Sequence, residues 1–334
     1  MKAGSHRFLV VGDPHVTSDS LKECNALLEY VEKCAVDNKA DSVLFLGDLY
    51  HTHAILHVEV MAFWSLWTTR LKASVGQVYC LVGNHDMPGN DGASVHALIA
   101  QEATATVVDK PLLLADLKIG MMPYFSDTAD FRVQAEKLVQ GGAKTIFAHQ
   151  TFAGSMFEAG FYAPDGVDVQ DLDCQFISGH IHTPQKVGKV WYPGAPRWRS
   201  LADANVARAV WLLDFKDGEM VSAKPFSTSG VCREIRHMEL KEGMEIPEIT
   251  EEDGISWSFD IRGSEAFVDG ARESLKGKAR VRGFVNPPET KHADVRESAG
   301  IPVALRAFLE SFSPPNGTPK EVLADMASKR GLYG

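Results

Sequence analysis

Side chains able to hold a metal ion or move a proton fall into five short clusters: Asp13-Pro14-His15, Gly47-Asp48, Gly83-Asn84-His85-Asp86, His149 and Gly179-His180-Ile181-His182. Each cluster offers a carboxylate, an amide oxygen or an imidazole nitrogen. A mixed Asp, Asn and His set suits Mn²⁺, Fe or Zn²⁺, whereas an all-oxygen set would suit Mg²⁺ or Ca²⁺. Taken singly, each residue reads as a strand-end turn or a hydrogen-bonded core histidine. The order D-x-H, GD, GNHD, H and GHxH is informative only as a whole.

Every cluster ends a short apolar run: Phe8 to Val11, Val43 to Leu46, Val78 to Val82, Thr145 to Ala148 and Phe176 to Ser178. Helical spacing fills gaps between them, with Leu21, Cys24, Leu27, Leu28, Val31 and Ala35 on one stripe and Val60, Phe63, Trp64, Trp67 and Leu71 on another. That alternation predicts an α/β fold. In such folds ligands bind beyond the carboxyl ends of the strands, so the five clusters should converge on one site. After Trp191 the pattern turns antiparallel, with Ala209 to Phe215 and Met220 to Pro225 flanking the hairpin signal Asp217-Gly218.

The catalytic domain is placed at residues 1–229 and a small α+β cap at 230–298, with strands Ser256 to Ile261 and Ala279 to Val285 around a helix Glu265 to Leu275. A helical hairpin is expected over 299–334. Its first helix is Val303 to Phe312, Pro314 to Gly317 break it, and Thr318, Pro319 and Glu321 start the second.

A hydrophobic fraction of 45% and a charged fraction of 23% over 334 residues are those of a soluble chain, and no apolar run is long enough to span a bilayer. Phe8 to Val11 is too short for a signal-peptide core, so a cytoplasmic location is expected. The net charge of -10 argues against nonspecific coating of nucleic acid, but acidic metal ligands consume part of it and leave a nuclease open. Five cysteines, an odd number without metal-type pairing, read as reduced core residues.

The five clusters resemble the calcineurin-like metallophosphoesterase superfamily. The longer strings Gly47-Asp48-Leu49-Tyr50-His51, His149 to Gly154, Gly179 to Gln185 and Tyr192-Pro193-Gly194-Ala195-Pro196 resemble the SbcD-type repair nucleases, nuclease partners of SMC-like ATPases. The resemblance covers residues 5–230 well and the rest more loosely. Ala195 stands where that family usually has serine, and the short, compact tail looks more like phage-encoded versions.

The resemblance implies a four-layer metallophosphoesterase β-sandwich flanked by helices, with two divalent cations, Mn²⁺ foremost, about 3.5 to 4 Å apart. Asp13, His15 and His182 would hold the first cation, Asn84, His149 and His180 the second, and Asp48 would bridge them. His85 would donate a hydrogen bond or proton to the phosphoryl or leaving oxygen, with Asp86 setting its tautomer. His51 would help place the DNA phosphate; the plainer reading is a turn histidine. The implied activity is a DNA exonuclease and single-strand endonuclease working in double-strand-break repair with an SbcC-type SMC-like ATPase. A small-molecule phosphodiesterase or phosphomonoesterase is the same-fold alternative, and a noncatalytic interaction scaffold the different-class one.

Further candidates lie outside the five clusters. Arg197 and Arg199 could grip a phosphate backbone while Trp198 stacks a base, although Trp198 packed beneath the site fits equally. Lys276, Lys278, Arg280 and Arg282, with Arg272, form a basic stretch in the cap that suits DNA, or else a solvated helix and strand edge. The helix beginning near His57 carries a second apolar face, Ile55, Val58, Ala62 and Leu66, which predicts a homodimer unless the cap covers it. The stripe Leu305, Phe308, Leu309 and Phe312, with Val322, Leu323 and Met326, suits docking on the ATPase or packing back onto the cap.

Overall fold

The computed structural model describes residues 4–88, 95–157, 160–163, 165–249 and 254–285. The expected helical hairpin at 299–334 lies outside them. Among the described residues the fold is mixed α/β, built on two six-stranded sheets and a three-stranded one.

The first sheet has the order β12-β11-β1-β2-β3-β4. In it β1 (Ser5–Val11), β2 (Ser42–Phe45), β3 (Gln77–Leu81) and β4 (Thr106–Val108) run parallel. The hairpin β11 (Ala209–Lys216) and β12 (Glu219–Ser227) adds antiparallel strands beside β1, and Asp217 and Gly218 turn it with φ of 52° and 84°. The second sheet, β5-β6-β7-β8-β10-β9, has β6 (Ile119–Met121), β7 (Thr145–His149), β8 (Gln175–Gly179) and β10 (Val190–Tyr192) parallel, with β5 (Leu112–Leu114) and β9 (Gln185–Val187) antiparallel at the two edges.

Strand alternation builds the layers. Phe8, Val10, Leu44, Leu46, Phe147 and Ile177 point between the sheets, where Phe8 and Phe147 meet at 5.3 Å. Their neighbours Leu9, Val11, Val43 and Phe45 face outward against α1 (Leu21–Asp37) and α2 (Val58–Val75), and Ile146, Ala148 and Phe176 face outward against α3 (Thr128–Gln140). The result is helix, sheet, sheet, helix. Both faces of β2 and β7 are covered, which is why these segments are apolar runs and not alternating ones. Each large buried side chain contributes about 1.5 to 3 kcal/mol relative to exposure.

Caps fix the helix starts. Asp127 accepts from the amides of Ala129 and Asp130 at 2.7 and 3.1 Å before α3, and Ser264 accepts from Phe267 before α4 (Glu265–Leu275). In the third sheet β13 (Glu234–Lys241), β14 (Ile255–Gly263) and β15 (Ala279–Val285) are parallel, with α4 packed on them through Val268, Ala271 and Leu275. Sequence spacing marks α4, β14 and β15 but misses β13. Asn205 joins this unit to the first: its side-chain amide donates to the His237 carbonyl at 2.8 Å and accepts from the His237 amide at 3.1 Å.

The five cysteines are buried and unpaired. No helix among the described residues is long and apolar enough to cross a membrane.

Candidate metal centre

The parallel strands β1, β2, β3, β7 and β8 carry the five clusters off their carboxyl ends onto one rim. His149 ends β7, while the first ligand of each other cluster lies one to three residues beyond its strand. Three of the candidate ligands sit in left-handed backbone: His15, Asp48 and His180, with φ of 46°, 51° and 80°. Such conformations cost non-glycine residues about 1 to 3 kcal/mol each and persist where surrounding contacts enforce them. Close approach explains two glycines. A Cβ at Gly83 would lie 2.1 Å from Asp48 Oδ1, and one at Gly47, where φ is 108°, would lie 2.3 Å from His149 Nδ1.

The seven expected ligands meet. His15 Nε2 lies 3.0 Å from His182 Nε2 and 3.4 Å from Asp48 Oδ2. On the other side of Asp48, His149 Nε2 is 3.4 Å from the same Oδ2 and 3.0 Å from Asn84 Oδ1, and His180 Nδ1 is 2.8 Å from that amide oxygen. Asp13 Oδ1 accepts from the His180 amide at 2.8 Å and lies 3.3 Å from His149 Nδ1. Asp48 Oδ2 thus stands between two groups of donors. The Leu46 carbonyl, 2.7 Å from His149 Nδ1, can only accept, so Nδ1 bears the hydrogen and Nε2 is left to face a cation.

The charge pattern fits divalent cations. Asp13 and Asp48 are wholly buried, and Asp13 Oδ2 has no hydrogen-bond partner. A buried carboxylate oxygen in that condition is costly, and a bound cation would relieve the cost. Burial raises the Asp13 pKa more than the nearby imidazoles lower it. Burial acts the same way on Asp48, but His149, His15 and His85 outweigh it and hold that carboxyl far below its usual range. Burial would lower His149; Asp48 and Asp13 overcome it and push the imidazole up to about 9, which marks a strongly negative field at its position. Burial, with neighbouring His149 acting the same way, takes His180 down to about 3, leaving a neutral donor.

His85 and His51 stand beside this set, their rings stacked at 5.7 Å, and their nitrogens converge with those of His15 within 4.8 Å. His85 Nδ1 donates to the His51 carbonyl at 2.7 Å, which aims Nε2 at the site. The Arg199 guanidinium lies 2.7 Å from His51 Nδ1 and can only donate to it. His51 is therefore neutral with its hydrogen on Nε2, and burial, then Arg199, lowers its pKa accordingly.

Three expectations need correction. Asp86 does not set the His85 tautomer, because its carboxylate accepts instead from the amides of Gly83 and Tyr50 at 3.0 Å and of Leu49 at 3.3 Å. It ties the β2 and β3 loops together. Arg197 is buried and its guanidinium is taken up within the protein: it donates to the carbonyls of Pro14 at 2.8 Å and His15 at 2.7 Å and pairs with Glu23 at 3.0 Å, clamping the first ligand loop. Trp198, 4% exposed, bonds the Val206 carbonyl and has no free face for a base.

Of the cap residues, Lys276, Lys278, Arg280 and Arg282 are exposed; Arg282 is held by Asp260 at 2.7 and 2.8 Å, and Lys276 lies near Glu273. Lys278 lines a cleft of about 830 Å³ between α1 and the cap.

Sequence reasoning missed Tyr124 and the Asp203–Arg208 pair. Tyr124 follows β6 and sets its ring 5.6 Å from that of His180 and 6.2 Å from that of His149. Arg208, buried, bonds the His182 carbonyl and pairs with Asp203 at 2.5 Å; Asp203 in turn accepts from the Arg199 amide at 2.9 Å. Tyr124 could have been found as another strand-end residue, whereas nothing local marks Asp203 or Arg208.

The sequence matches the family described as Calcineurin-like phosphoesterase over residues 6–184, more than half of the chain. A comparison with curated protein sequences gave no match. Among solved structures, nuclease MPE of Pseudomonas putida matches at 14% identity with a TM-score of 0.32, over 66% of this chain and 87% of that one.

Proposed function

The chain belongs to the calcineurin-like phosphoesterase family, and from that premise we propose that it is a two-metal phosphodiesterase that cuts DNA, with exonuclease and single-strand endonuclease activity. The observation that carries this reading is the row Arg199, His51, His85 beside the ligand set, at the mouth of a cleft of about 560 Å³. That cleft runs from His51 and His182 to Arg233, Ile235 and Ser256 of the cap. A phosphodiester has a chain on both sides of phosphorus, and an open path lined by arginines accommodates it. The longer strings around His51, His149, His182 and Pro193, similar to SbcD-type nucleases, support DNA as the polymer.

Asp13, His15 and His182 would hold one cation and Asn84, His149 and His180 the other, with Asp48 between. Bound cations supply an activated water and charge neutralisation of the phosphate, and the mixed nitrogen and oxygen donors suit Mn²⁺. The chain's own groups do the rest. His51 Nε2–H and Arg199 orient the phosphate oxygens, and His85, braced by the His51 carbonyl, presents Nε2 to the leaving oxygen. The same reading includes a homodimer through α2, cytoplasmic location, and an SMC-like ABC ATPase bound through 299–334.

Labelled single- and double-stranded DNA and a cyclic nucleotide, each in Mn²⁺ and in Mg²⁺, separate the possibilities. Mn²⁺-dependent cleavage of DNA is expected. Turnover of the cyclic nucleotide with DNA left intact would replace this reading with a small-molecule phosphodiesterase.

A further inference from the structure

The loop after β7 forms a small hairpin at the edge of the metal centre. Met156 pairs with Tyr162, the Phe157 amide donates to the Phe161 carbonyl at 2.8 Å, and the Ala163 amide to the Ser155 carbonyl at 2.8 Å. Gln185, just beyond the His182 cluster, grips the hairpin from outside: its side chain accepts from the Met156 amide at 2.8 Å and donates to the Met156 carbonyl at 2.7 Å. The hairpin is thus tied to β9 as well as to itself.

Its aromatic residues are placed unevenly. Phe157 is half-buried with its ring 6.3 Å from that of His180. Phe161, its cross-strand partner, lies on the same face of the hairpin and is 71% exposed. Tyr162, 70% exposed, follows directly and so points to the opposite face. A large aromatic ring left in water beside a phosphate-handling centre has a natural occupant. Arg199 and His51 flank the His15 side of the centre, and Phe157 flanks the His180 side, with Phe161 paired across the hairpin from it. Basic groups along a backbone track with an aromatic face beside it are the combination by which proteins hold single strands.

Resting on the nuclease reading above, we propose that Phe161 is a stacking platform for an unpaired nucleobase next to the scissile phosphate. A paired base keeps both faces inside its duplex and cannot use it, so the substrate class at this centre is single-stranded or end-frayed DNA. Because every base has a π face, the platform confers strand state and not sequence.

The test compares a labelled oligothymidylate with a strand of equal length made of abasic tetrahydrofuran units, both in Mn²⁺. The wild type is expected to favour the oligothymidylate in kcat/KM by about 10-fold, within the range of one stacked base. Phe161→Ala should bring that ratio close to 1, and Tyr162→Ala should leave it in place. Since a distorted loop would slow both strands alike, the ratio reports stacking and not loop integrity; Phe161→Leu gives the same readout if the alanine variant does not fold. A ratio unchanged by Phe161→Ala or by Phe161→Leu, or a wild type that cleaves both strands alike, overturns the platform alone. Hydrolysis of bis(4-nitrophenyl) phosphate by a wild type that cleaves neither strand overturns the nuclease reading, and the platform with it.

Discussion

His85 and Asp86 are neighbours in the chain but touch different things, and substitutions at each should separate chemistry from scaffold. His85→Ala removes a group that faces the site without entering the ligand set, so both metals should remain while kcat falls by about 10² to 10⁴-fold, as for loss of a general acid. Metal analysis alongside kinetics checks this, and loss of metal would make His85 a ligand. Asp86→Ala leaves three buried amides without their acceptor, at about 1 to 3 kcal/mol each. Urea unfolding should show a deficit on the order of 3 kcal/mol or more. Unchanged stability with lost turnover would return Asp86 to the chemistry. The ligand residues were readable because each is polar after an apolar run. Arg197 misled because sequence does not show which way a side chain turns: the carbonyls of Pro14 and His15 turn it inward, and that is a long-range fact, while Trp198 took the packed alternative of its two readings.

At the scale of elements, the strands that carry the clusters were legible because they run four or five residues or more and are largely buried toward their carboxyl ends. The three-residue strands β4, β5, β6, β9 and β10 are too short to show alternation, and with β6 unseen Tyr124 was unseen too. β13 escaped because most of its side chains are exposed or half-buried, so no apolar rhythm marks it. The helix α2 shows both outcomes. Its Val60, Trp64, Trp67 and Leu71 face is buried as the spacing requires, while Ile55, Val58 and Leu66 remain 69%, 77% and 62% exposed among the described residues. The described part of the cap does not cover them. A dimer mass at micromolar concentration is therefore expected, with Val58→Glu and Leu66→Glu shifting it to monomer. A monomeric wild type would remove the proposal.

For the whole molecule, two sheets meet with their carboxyl ends on one rim, and the cap closes one side of the cleft that leaves it. The tail at 299–334 is proposed to dock on an ATPase. Serine at Leu305, Phe308, Leu309 and Phe312 should abolish co-purification with that partner while cleavage by the isolated chain persists, and unchanged binding would refute the docking. The proposed pair of cations, held by seven side chains about a shared Asp48, depends on none of these partners. Metal content after Mn²⁺ loading and desalting tests it directly, by comparing wild type with Asp48→Ala. Two Mn²⁺ per wild-type chain are expected, and one or none, with no phosphodiesterase activity, in a folded Asp48→Ala protein; a wild type that binds fewer than two, or an Asp48→Ala protein that keeps both and still turns over, would show that the site does not work this way.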